Sequence, residues 1–209
     1  MASFVPRCVP PAAGNRWNTL AAALALLVLV TPARAHRLDE YLQATRIAVS
    51  SDRIQLRIDL TPGAAILPQL LPKTDLDGNG RFSRKERTAY GQLVLRDLHL
   101  ELDGHRIELR LDHVDFPPRA DMMAGEGVLR LILVSKIPKL TPGHHELVFR
   151  NNHLPEISVY LVNALQPADK RLSITRQVRD QTQKEYRLEF EVSSGKAESS
   201  EFRGLSSSD

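Results

Sequence analysis

Between Arg53 and Leu60 apolar and polar residues alternate without a break. Ile54, Leu56, Ile58 and Leu60 fall at period two, with Arg53, Gln55, Arg57 and Asp59 between them. Strand side chains point alternately to two faces, so this pattern makes one buried and one wet face and excludes a helix of period ~3.6. Ile47 and Val49 alternate before it, across the turn residues Ser50-Ser51-Asp52, which predicts a hairpin. Leu98, Leu100 and Leu102 alternate up to Asp103-Gly104, and Ile107, Leu109 and Leu111 alternate after it. Asp-Gly favours a two-residue turn because both positions tolerate positive φ, and the implied register sets Leu100 opposite Ile107 and Leu98 opposite Leu109. Val128–Val134 is nearly all apolar and predicts a central strand, and 146–150, 158–163 and 171–176 predict others. In 185–193, Tyr186, Leu188, Phe190 and Val192 face inward. Short strands separated by Pro/Gly turns predict a mostly β chain, an antiparallel β-sandwich over residues 36–193. From Ser194 to Asp209 the chain is Ser-, Gly- and Glu-rich with little to bury, which predicts a disordered tail.

The first 35 residues read as an address. Arg7 and Arg16 precede an apolar run from Leu20 to Val30, and Thr31-Pro32-Ala33-Arg34-Ala35 follows it. Those 11 residues make a rod of ~16 Å, well short of a ~30 Å hydrocarbon core. A charged start, a short apolar middle and a small-x-small end predict a secretory signal peptide over 1–35, cleaved after Ala35. An uncleaved anchor is the alternative. The only cysteine, Cys8, lies inside this segment, so the exported chain starting at His36 has no disulfide staple. The same segment explains the basic pI of 9.2. Without Arg7, Arg16 and Arg34 the 28 bases become 25, equal to the 25 acids. A nucleic-acid partner, which needs a basic field, is therefore not expected.

One segment breaks the strand pattern. Residues 75–86 read Asp-Leu-Asp-Gly-Asn-Gly-Arg-Phe-Ser-Arg-Lys-Glu. A hard dication such as Ca2+ takes six to eight oxygens at ~2.3–2.6 Å, which a chain supplies only by curling tightly. Asp75, Asp77 and Asn79 stand at positions 1, 3 and 5, Gly80 at the sharp turn, and Arg81 where a backbone carbonyl is wanted. Phe82 is placed to pin the loop to a core, Ser83 to act through a water, and Glu86 to close the shell with both oxygens. The segment resembles an EF-hand loop of the calmodulin type over these twelve residues. That resemblance implies calcium as the ligand and Asp75, Asp77, Asn79, Arg81, Ser83 and Glu86 as its holders; an acidic turn of matching spacing is the alternative. Ser83 and Glu86 have capping-box spacing, and Ala89, Tyr90, Leu93 and Val94 recur at helical spacing, predicting an exiting helix over 84–97. On the entering side Pro68 and Pro72 allow only a short helix. No second such loop occurs, so the insertion at about 64–97 suits constant binding better than a paired-hand switch. Lys73, Arg81, Arg84 and Lys85 oppose a dication, which places the affinity in or somewhat below the ~10⁻⁴–10⁻³ M of extracellular modules.

A second resemblance is carried by His36-Arg-Leu-Asp-Glu-Tyr-Leu-Gln-Ala-Thr45, Leu60-Thr-Pro-Gly63 and the loop. Together they are similar to the extracytoplasmic N-terminal part of HupE/UreJ-like membrane proteins, whose relatives are associated with nickel or cobalt. No membrane span is expected after the signal, so transport is not implied. A periplasmic nickel, cobalt or copper accessory protein using His36 as mature N-terminus and surface histidines such as His99, His105 and His113, with the calcium loop purely structural, is the alternative. His144 and His145 follow a Pro-Gly turn and read as solvated. There is no G-x-S-x-G elbow and no H-E-x-x-H, and no enzymatic activity is expected.

Overall fold

The computed structural model describes residues 39–194. The signal segment, His36 and the tail beyond Ser194 lie outside them.

Two five-stranded sheets form a mostly β, sandwich-like fold. The first hairpin is as predicted: β1 (Tyr41–Val49) and β2 (Arg53–Pro62) pair antiparallel with Val49 opposite Ile54, and Ser50 N–H donates to the Arg53 carbonyl at 2.8 Å. The chain then leaves the sheet through a 3-10 turn (Ala64–Ile66), α1 (Leu67–Thr74) and α2 (Arg84–Arg96). It returns through β3 (Leu98–Leu102), the two-residue β4 (His105–Arg106), β5 (Arg110–Asp115), the short α3 (Arg119–Met123) and β6 (Leu129–Lys136). β7 (Gly143–Asn151), β8 (Ser158–Ala164), β9 (Leu172–Arg179) and β10 (Glu185–Val192) complete it. Strand order is β5-β6-β2-β1-β8 in one sheet and β4-β3-β7-β10-β9 in the other.

Two departures from the predicted pattern share a cause. Asp103 (φ 51°) and Gly104 (φ 75°) make the expected turn, and Ile107 N–H donates to Leu100 O at 2.8 Å. The strand stops there, so Leu109 does not pair with Leu98. Instead β5 pairs with β6 in the opposite sheet. The second departure is a parallel pair, β1 with β8, in a fold expected to be antiparallel throughout. Alternation names the buried face of a strand, but the inner faces of both sheets look alike in sequence. It therefore cannot say which sheet a strand joins.

The core is one cluster drawn from both sheets. Ile54, Leu56, Ile58, Leu60, Leu131 and Leu133 are fully buried from one, and Leu147, Tyr186 and Leu188 from the other. Each such side chain contributes about 1.5–3 kcal/mol by leaving water. α2 rides on this core through Tyr90, Gly91 and Val94. Ala89, expected in that stripe, is exposed. Gly91 takes its place, because a Cβ there would stand 2.7 Å from Leu111 Cδ2. Met122 fills the base of α3, fully buried, and Met123 is exposed.

Candidate metal centre

The loop between α1 and α2 is held by its own backbone. Pro68 sits in the first turn of α1, where no N–H is needed, and an eight-residue entering helix results. Gly78 (φ 68°) and Gly80 (φ 78°) take the left-handed backbone that the tight curl demands. Gly80 N–H donates to Asp75 Oδ2 at 3.0 Å, and Asn79 N–H to Asp77 Oδ1 at 3.1 Å. Ser83 caps α2 in a full capping box with Glu86. Phe82 packs edge-on against Phe116, ring centres 5.1 Å apart, so the apolar anchor holds as read.

Asp75, Asp77 and Glu86 each offer a carboxylate oxygen within 4.8 Å of the others, two of them buried and Asp77 exposed. They are the only such group of three acidic, His or Cys side chains among the described residues. Glu86 is the most heavily bonded. Its Oε2 accepts from Ser83 Oγ (2.7 Å) and Ser83 N (2.8 Å), and its Oε1 from Leu76 N (2.7 Å). The Ser83 hydroxyl, then the Ser83 and loop N–H groups, outweigh burial and hold its carboxyl down to about 2. It is ionised at any physiological pH. Asp75 is buried; its Oδ2 takes Gly80 N–H and the Arg119 guanidinium, each at 3.0 Å. Its Oδ1 is buried with no hydrogen-bond partner. An unmade bond at a buried carboxylate oxygen is expensive, and a cation is the partner that fits it.

Two of the other three sequence-predicted holders, Asn79 and Ser83, hydrogen-bond members of that cluster. Asn79 is exposed, its Oδ1 accepting Arg81 N–H at 2.8 Å and its Nδ2 donating to Asp77 Oδ2 at 2.7 Å. Ser83 is spent on Glu86. The Arg81 side chain is exposed, as expected of a position that contributes its carbonyl. Arg119 was not legible in the sequence. It arrives from α3, 44 residues beyond its partner Asp75, and no local spacing announces it.

Among the described residues the histidines do not assemble into a cluster. His99 pairs with Glu101, and His105 Nδ1 donates to its neighbour Asp103 O at 2.9 Å, both in one sheet, while His113 lies on β5 of the other. His145 corrects the expectation of a solvated pair. It is buried, with Nδ1 on Asp103 Oδ2 (2.7 Å) and Nε2 on Thr141 O (2.9 Å), and its ring stacks on Phe190. No helix among the described residues is long and apolar enough to cross a membrane.

No protein-family model, curated protein or solved structure matches this chain. The reading of the centre therefore rests on its chemistry.

Proposed function

We propose that this is an exported, non-enzymatic calcium-binding protein whose single EF-hand-type loop uses the ion as a structural clip, fastening α1 and α2 to the sandwich. The observation that carries the reading is Asp75 Oδ1, a buried carboxylate oxygen lacking a donor, in a residue that shares a 4.8 Å cluster with Asp77 and Glu86. An acidic turn that merely imitated the spacing has no reason to bury that oxygen unpaired. Three carboxylates and all-oxygen donors suit a hard cation, with Asn79, the Arg81 carbonyl and a water near Ser83 completing the shell. Export is supported by the Leu20–Ala35 pattern.

The clip is tested by melting the protein with calcium and with chelator. A ligand that binds only the folded state at ten times its Kd stabilises by roughly 1.4 kcal/mol. For a domain of this size that raises Tm by about 3–6 °C. Far-UV circular dichroism should barely change, and a hydrophobic dye should not bind more. Calcium-dependent dye uptake at constant fold indicates a switch and defeats the clip. An unchanged Tm at 10 mM calcium defeats calcium binding itself.

Arg119 competes with the ion for Asp75. Arg119→Met is expected to tighten calcium binding roughly two- to fivefold, the worth of a half-exposed ion pair, and to lower Tm in chelator. Calorimetric titration of both proteins measures the first effect. Weaker binding in the variant contradicts the competition.

A further inference from the structure

Beside the loop lies a pocket of about 370 Å³ with an unusual charge. Arg81, Arg87 and Arg119 line it, Phe82, Phe116 and Pro117 form apolar walls, and no carboxylate contributes to the lining. Arg119 is committed to Asp75. Arg81 and Arg87 have no acidic partner among the described residues, and Arg87 Nε is buried without any hydrogen bond. Arg87 Nε and Asp75 Oδ1 are the two buried side-chain polar atoms left unpartnered among the described residues. One is a donor and one an acceptor, and they lie on residues of adjoining sites. Like charges gather around an empty space at a cost, and a guanidinium with a buried free N–H is relieved by an oxyanion.

We propose that this pocket binds a small oxyanion carried on an apolar body, with Arg81 and Arg87 gripping the anion and Phe82 and Phe116 covering the body. Arg119 joins them when Asp75 no longer holds it, so calcium in the loop strengthens anion binding. That coupling rests on the proposed calcium site; the pocket does not. By linkage the anion also tightens calcium by the same factor.

Phenyl phosphate and benzoate are the probes, with benzyl alcohol and benzylamine as neutral and cationic controls at constant ionic strength. Binding is followed by amide chemical shifts in ¹⁵N-labelled protein. Saturable shifts of Arg81, Phe82 and Arg119 amides are expected with the two anions and not with the controls, and which anion binds tighter tells phosphate from carboxylate recognition. Arg81→Met and Arg87→Met should each weaken binding roughly two- to fivefold. Arg81 is exposed, so its variant tests the pocket without threatening the fold. Equal response to benzyl alcohol, or full affinity in both arginine variants, overturns the pocket. Saturating calcium should tighten phenyl phosphate binding by a similar factor, and so should Asp75→Asn in chelator, which frees Arg119 without metal. If the asparagine variant tightens binding and calcium does not, the calcium reading fails and the pocket stands. If neither does, Arg119 has no share in it.

Discussion

Glu86→Gln should weaken calcium binding about 10- to 100-fold, whereas Asn79→Ala should weaken it only several-fold, as expected from losing a charged as against a neutral oxygen ligand. The difference follows from how each is held. Both Glu86 oxygens already sit among fixed donors: Ser83 N–H and O–H on one, Leu76 N–H on the other. A glutamine must place its NH2 against one of those donor sets, so the variant loses a charge, a bidentate closure and its orientation together. Asn79 lies exposed at the rim, and its Oδ1 has a backbone N–H as an alternative partner. Because Glu86 also closes the capping box of α2, its variant should melt lower in chelator, by about 1 kcal/mol of stability. Circular dichroism therefore accompanies the calorimetry. Wild-type affinity in a folded Glu86→Gln protein removes the basis for an EF-hand-type site.

What could be read from the sequence was whatever is local. The loop is twelve consecutive residues, and its turn glycines, its cap and its apolar anchor act on near neighbours, so Gly80, Ser83, Glu86 and Phe82 stand where their spacing put them. Strand faces were legible for the same reason, since a pleat repeats every two residues. The choice of sheet was not, because it is decided by partners far along the chain. β5 leaves its hairpin for β6, and β8 returns to lie parallel to β1. Arg119 and His153 escaped for that reason too. Their partners Asp75, Tyr90 and Asp97 are brought up by tertiary packing, and a lone basic residue among Pro and Asn residues carries no periodic signal.

His153 is where the exiting helix is tied to both sheets, and removing it should be the most damaging polar substitution in the chain. The residue is fully buried. Its Nδ1 lies 2.6 Å from Asp97 Oδ2, and a carboxylate can only accept, so Nδ1 carries the proton. Nε2 then accepts from Tyr90 O–H at 3.2 Å, and Tyr41 O–H, on β1, donates to Tyr90 oxygen at 2.7 Å. Burial raises both phenols above their ordinary range, so Tyr41 and Tyr90 stay neutral and act as hydroxyl donors in this relay. The His153 carbonyl takes Gln43 Nε2 and Tyr160 O–H, each at 2.8 Å, and its N–H goes to Asn151 Oδ1 at 3.0 Å. His153→Ala deletes the ring and leaves the buried Tyr90 O–H without its acceptor, while the partly exposed Asp97 carboxylate turns to water. A loss of about 2–4 kcal/mol follows, since a buried group left unpaired costs about 1–3 kcal/mol and the emptied ring volume adds to it. In Tm that is roughly 5–15 °C. The ring also sets a pH dependence. Burial pushes the imidazole below its ordinary value, with the Asp97 hydrogen bond opposing, so the folded protein resists protonation while the unfolded chain takes a proton near ~6.5. Its contribution to stability is complete above that pH and declines as pH falls below it. His145 runs the other way: burial lowers it, but the Thr141 carbonyl and Asp103 carboxylate raise it further, so its contribution is complete at low pH and lost as pH rises through the raised value. Urea denaturation from pH 7.5 to 5 separates the two. The wild type should lose stability below pH 6.5 relative to His153→Gln, which keeps a polar side chain and cannot titrate. A His153→Gln protein with the wild-type slope, or a His153→Ala protein of wild-type Tm, would show that the relay does not hold the helix.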